Sequence, residues 1–129
     1  MESNIMKTAI IILSDPNSNS EEALGRLFNG LAAAYDFKEN GEEVTVMFQG
    51  TGTRWTKYIT QEDHPVYALY KTVEDKVAGI SCGCADVFGA KEDAVKNGFD
   101  LITDNAVPGT SGLPSLQKLT ADGYQLLIF

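Results

Sequence analysis

The run Thr8-Ala-Ile-Ile-Ile-Leu-Ser14 limits the possible folds more than any other stretch of the chain. No polar residue interrupts it between Ala9 and Leu13. Successive side chains of a strand point to opposite faces, so a strand made of this run must be covered on both. Three consecutive β-branched isoleucines favour the extended conformation over the helical one. Strands of that kind belong to parallel sheets flanked by helices. The run ends in Ser14-Asp-Pro-Asn-Ser-Asn-Ser20, a polar loop of turn-forming residues.

The rest of the chain alternates helical and strand patterns. Leu24, Leu27, Phe28, Leu31 and Tyr35 recur at helical spacing and predict a helix from Glu21 to Glu39, closed by Asn40-Gly41. Ser18 or Ser20 supplies its cap, Ser18 having capping-box spacing with Glu21. Glu43 to Gln49 alternates as a second strand. Val66, Leu69, Tyr70 and Val73 form a helical face, with Asp63, His64 and Pro65 at its start. Val77 to Ser81 is expected as a buried central strand, then a short helical turn over Ala85 to Ala90 and a helix over Lys91 to Asn97. A fourth strand is predicted over Phe99 to Ile102, a turn-rich loop over Asp104 to Gly112 and a final strand over Tyr124 to Phe129. Between them a helix is expected over Leu113 to Ala121, with Leu113, Leu116 and Leu119 inward. This order predicts one α/β domain over residues 1–129, with a mainly parallel five-stranded sheet and helices on both faces.

A net charge of −8 and a pI near 4.5 oppose a nucleic-acid surface, which needs a basic face, and oppose docking on anionic lipid. No apolar run approaches the roughly 18 residues of a membrane span. The N-terminus has neither the apolar length nor the cleavage site of a signal peptide, so a cytoplasmic protein is expected.

Chemistry concentrates in Val77-Ala-Gly-Ile-Ser-Cys-Gly-Cys-Ala-Asp86, which holds both cysteines of the chain. Ligands of open parallel sheets bind outside the carboxyl ends of the strands, and Cys82 falls at such an end. Free amides at a helix start would favour a Cys82 thiolate, and Gly83 would let another molecule's sulfur approach. Asp86, Glu92 and Asp93 oppose the thiolate unless a cation such as Arg54, Lys57 or His64 reaches the turn. Cys84 could resolve a persulfide on Cys82 as a disulfide, or the pair could hold a soft metal. A closed four-ligand zinc site is short of ligands, and no metal or cofactor is expected. A plainer account makes both thiols buried, inert packing groups. At the second strand end, Gly50, Thr51 and Arg54 are candidates for a substrate pocket together with Gly83, although Gly50-x-Gly52 lacks the third glycine of a dinucleotide fingerprint.

The strand ending in Cys82-Gly83, Val107-Pro108, Ser111-Gly112-Leu113, Leu116-Gln-Lys-Leu119, Asp122-Gly-Tyr124 and the strand end Phe48-Gln-Gly50 together resemble the DsrE/DsrF-like (TusD-type) sulfur-relay proteins. The resemblance spans most of the chain and implies a small α/β fold that assembles as a homotrimer or homohexamer. It implies a persulfide carried on the cysteine matching Cys82, exchanged with sulfur-donor or acceptor proteins. Cys84 departs from the pattern, in which one cysteine is usual at this turn. Two rival functions stand beside the carrier: a non-catalytic oligomeric binding module of the same fold, and a Cys-x-Cys thiol redox or metal-binding protein. Trp55, Tyr58 and Tyr67 are the candidate exposed aromatics for subunit contacts.

Overall fold

A computed structural model describes residues 5–129. Five strands, β1 (Lys7–Ile12), β2 (Glu43–Phe48), β3 (Val77–Ser81), β4 (Leu101–Ile102) and β5 (Tyr124–Ile128), form one sheet in the order β4-β3-β2-β1-β5. Every pairing is parallel. Six helices alternate with them: α1 (Glu21–Glu39), α2 (Thr56–Ile59), α3 (Tyr67–Val73), α4 (Cys82–Val87), α5 (Lys91–Lys96) and α6 (Leu116–Ala121). The strand expected to be central, β3, is one place from the edge, and β2 is the centre.

The strand order explains where the helices lie. From β1 to β4 the chain steps across the sheet in one direction, so right-handed crossovers put α1 to α5 on one face. The last crossover returns from the β4 edge to β5 at the opposite edge, which carries α6 to the other face. The two faces are therefore unequal. Ile10, Ile12, Val46, Phe48 and Ile80 pack beneath Leu27, Leu31 and Ala34 of α1, Tyr70 and Val73 of α3, and Ala85 and Ala94 of α4 and α5. Truncating a fully buried member such as Leu31 to alanine costs about 2–5 kcal/mol. The opposite face buries Ala9, Ile11 and Met47 but leaves Ile128 exposed. There Met47, Pro114 and Leu119 line a groove of about 470 Å³ beside α6.

Helix α1 has the limits its periodicity predicts. Ser20 caps it, accepting from the amides of Glu22 at 3.0 Å and Ala23 at 3.3 Å. Ser18 belongs instead to a 3₁₀ turn, Pro16–Ser18. Helix α6 is shorter than expected. It starts at Leu116, capped by Ser115, because Leu113 is held in an antiparallel bridge to Asn105. Leu116 is exposed, not inward. Only Leu101–Ile102 of the fourth expected strand pairs.

The ladder between β2 and β3 contains an irregularity that places the site. Val46 pairs with Val77, but Met47 pairs with Gly79, so Ala78 is one residue too many. Residues three apart in a regular strand face opposite ways. The bulge lets Val77 and Ile80 share the core face, and it sets the phase in which the chain leaves the sheet at Ser81.

Candidate functional site

Helix α4 begins at Cys82 itself, directly after β3, rather than at Ala85. Ser81 is its cap, and its hydroxyl accepts from the Cys84 amide at 3.2 Å. The Gly83 amide donates to the Gly112 carbonyl at 2.7 Å. These amides were the expected anion holders for Cys82, and both are already partnered within the chain. Gly83 also serves the chain's own packing. A Cβ there would lie 2.8 Å from Leu113 Cδ1, 3.1 Å from the Gly112 carbonyl oxygen and 3.3 Å from Thr110 Cβ. Gly112 makes this approach possible: its φ is +105°, and a Cβ would meet the Thr103 carbonyl oxygen at 2.7 Å.

The segment from Gly109 to Leu113 thus lies over the start of α4, and Cys82 is only 4% exposed. Ser111, at the crest of that segment, brings the chemistry. Its Oγ is 3.1 Å from Cys82 Sγ and hydrogen-bonds the Asp86 carboxylate one turn along α4. Lys91 Nζ reaches the other carboxylate oxygen of Asp86 at 3.4 Å. The Ser111 hydroxyl, and then Lys91, hold the Asp86 carboxyl below its ordinary range. A hydroxyl has one proton, and charge-assisted hydrogen bonds are roughly twice as strong as neutral ones. The one Ser111 proton can therefore serve only one of its two acceptors at a time, Cys82 Sγ or the Asp86 carboxylate, and the bond to the carboxylate is the stronger. Gly83, Asp86, Val87, Gly109, Thr110 and Ser111 line a cavity of about 390 Å³ beside this chain of contacts.

Both thiols are free, and Cys84 is half-buried. Residues two apart in a helix are turned about 200° from each other and do not share a face. The pair therefore does not present its sulfurs together. Among the described residues, no group of three or more histidine, cysteine, aspartate or glutamate side chains is arranged to hold a metal.

Of the four candidate pocket residues, Arg54 and Gly83 line separate cavities. Arg54 Nη1 lies 3.2 Å from both carboxylate oxygens of Asp15, its Nε donates to the Phe88 carbonyl at 3.2 Å, and it stacks over the Phe88 ring. It is a clamp between loops; Lys91 is the basic group that pairs with Asp86 of the thiol cluster. Thr51 donates to the Leu13 carbonyl at 3.1 Å, and neither it nor Gly50 lines the cavity beside Gly83. Trp55, expected at the surface, is 4% exposed, with its indole N–H donating to the Ser14 carbonyl at 2.8 Å. It packs edge-on against His64 and Tyr58 beneath a separate cavity of about 570 Å³. Tyr58 and Tyr67 are half-buried. His64 Nδ1 accepts from the Val66 amide at 3.1 Å, but α3 starts only at Tyr67, and its N-cap, Val66, has no side-chain cap. Gln49, the residue after β2, has a buried side-chain nitrogen with no hydrogen-bond partner.

The residues that sequence reasoning missed as a site are Ser111 and Lys91. Ser111 was visible only as part of a loop motif, and nothing local tied it to Cys82.

The profile of the DsrE/DsrF-like family matches residues 6–129. This chain belongs to the DsrE/DsrF-like family. The all-parallel five-stranded sheet with surrounding helices agrees with membership. A relative from Methanocaldococcus jannaschii, described as an uncharacterized protein, is 28% identical over 127 residues, covering 98% of each chain. No solved structure gives a significant match. No helix among the described residues is long and apolar enough to cross a membrane.

Proposed function

We propose that this DsrE/DsrF-like protein handles sulfane sulfur, accepting it on Cys82 from a persulfide donor and passing it to an acceptor. The observation that carries the reading is the contact of Cys82 with Ser111 at the carboxyl edge of the sheet, beside a cavity of about 390 Å³. The thiolate of Cys82 attacks the outer sulfur of a donor R–S–SH. A Cys82 S–S bond forms, the donor S–S bond breaks, and the donor leaves as its thiolate R–S⁻. No external oxidant or reductant enters. The cavity gives the donor chain a place to lie, and Val87 at its rim is 71% exposed. Family membership supports a sulfur-relay type of role, and the transfer on Cys82 is the finer step proposed.

The test is intact mass after incubation with glutathione persulfide. We expect the gain of one sulfur atom, lost in Cys82→Ser and kept in Cys84→Ser, since Cys84 faces away. Absence of any gain would overturn the reading. Loss of the gain in Cys84→Ser would return the two-cysteine mechanism to the front. The binding-module reading draws on one observation, the aromatic-floored cavity over Trp55, Tyr58 and His64. It gains ground if Cys82 takes up no sulfur.

A further inference from the structure

This inference rests on the reading of Cys82 as a sulfur carrier and concerns how its proton is controlled. Ser111 stands between two groups that compete for one hydroxyl proton, Cys82 Sγ at 3.1 Å and the Asp86 carboxylate. With the proton on Asp86, only the lone pairs of Oγ face the sulfur, and that pairing favours the S–H form. With the proton turned to the sulfur, the thiolate gains a charge-assisted hydrogen bond and Asp86 loses one.

We propose that Ser111 is a two-position hydrogen-bond switch for Cys82, and that Asp86 is the positioning residue that holds the switch where the sulfur stays a neutral thiol. No bond of Ser111 breaks when the switch turns. Its O–H rotates from Asp86 to Sγ, and the thiol proton leaves to a base in solvent. Lys91, at 3.4 Å from the other oxygen of Asp86, keeps the carboxylate ionised and so keeps the latch set. The same arrangement speaks against Asp86 as a general base. A carboxylate held below its ordinary range accepts poorly from a thiol, whose reference pKa is about 8.5. The 109–113 segment therefore both covers Cys82 and sets its protonation, through one side chain.

The two roles of Asp86 predict opposite signs. The experiment follows iodoacetamide labelling of Cys82 near neutral pH on the full chain, localised by fragment mass spectrometry so that Cys84 is read separately. Asp86→Asn is expected to speed labelling about tenfold, the scale that one charge-assisted bond to the thiolate allows. Asp86 is exposed, so this variant keeps the fold. Ser111→Thr, which retains the hydroxyl, preserves the gain from Asp86→Asn. In a Ser111→Ala background the same gain shrinks to less than about twofold, because the coupling runs through the hydroxyl.

Slower labelling in Asp86→Asn would overturn the proposal in favour of a general base. An equal gain with and without Ser111 would overturn it in favour of bare charge repulsion. Sulfur loading without any effect of Asp86→Asn on labelling sinks the switch and leaves the carrier standing. Neither labelling nor loading of Cys82 in any variant sinks both.

Discussion

Ser111 Oγ lies 3.1 Å from Cys82 Sγ although 29 positions separate the two residues. The contact joins the carboxyl end of β3 to the loop between β4 and α6, the first part of the crossover to β5. Chemistry at Cys82 is therefore tied to how well that loop is seated.

Gly112 is the hinge of the seating. Its φ of +105° and a Cβ position 2.7 Å from the Thr103 carbonyl oxygen leave no room for a side chain. Gly112→Ala is expected to cost about 3 kcal/mol or more in urea unfolding and to raise the labelling of Cys82. Gly109 is the control. Its φ is +80° but nothing lies within 4 Å of its Cβ position, so Gly109→Ala should cost only about 1 kcal/mol. Equal costs for the two would show that the contact with Thr103 is not what fixes the loop.

His64 predicts an acid-side loss of stability. Burial lowers its pKa from the usual 6.5, with Asp63 opposing. Its Nδ1 accepts from Val66, which requires the unprotonated nitrogen. The folded state thus favours the neutral ring. The associated stability is present above about pH 6.5 and is lost as pH falls through the lower folded value. Urea midpoints should fall between about pH 7 and about pH 5, and His64→Gln should flatten that portion of the curve. A slope unchanged in His64→Gln would assign the titration to another group.

Self-association is expected through the face that α6 leaves uncovered. Leu13 continues the β1–β5 ladder by donating to the Phe129 carbonyl at 2.7 Å, and it is 42% exposed. Ile128, beside Ile11 in register, is 53% exposed, and Leu116 at the start of α6 is exposed as well. We propose that a second copy covers this patch in a homotrimer or homohexamer. Native mass spectrometry should give a trimer or hexamer for the wild type. Ile128→Asp, at an exposed position, should shift it toward monomer without lowering the helix signal. A monomeric wild type would refute the assembly.

The sequence carried most of the architecture because its signals are local. An unbroken isoleucine run needs two covers, and α1 announces itself by spacing and by a serine cap. Alternating patterns of period two and 3.6 are enough to order strands and helices. Signals weaken where the segment is short or its partner is distant. Leu113 reads as a helix start, yet a bridge to Asn105 captures it. Trp55 reads as a surface aromatic because nothing near it in the chain tells of the Ser14 carbonyl that takes its N–H.

By itself the sequence determined the fold class and the place of Cys82 at a strand end, since each rests on hydrophobic period or on residues close together in the chain, while its scattered short motifs carried the family resemblance. Only the tertiary structure decided what surrounds that sulfur. One extra residue at Ala78 sets the phase in which β3 delivers Cys82, a return crossover brings Ser111 over it, and the helix start turns Cys84 away. Those outcomes depend on strand register and on contacts between segments far apart in the chain, which hydrophobic pattern does not encode.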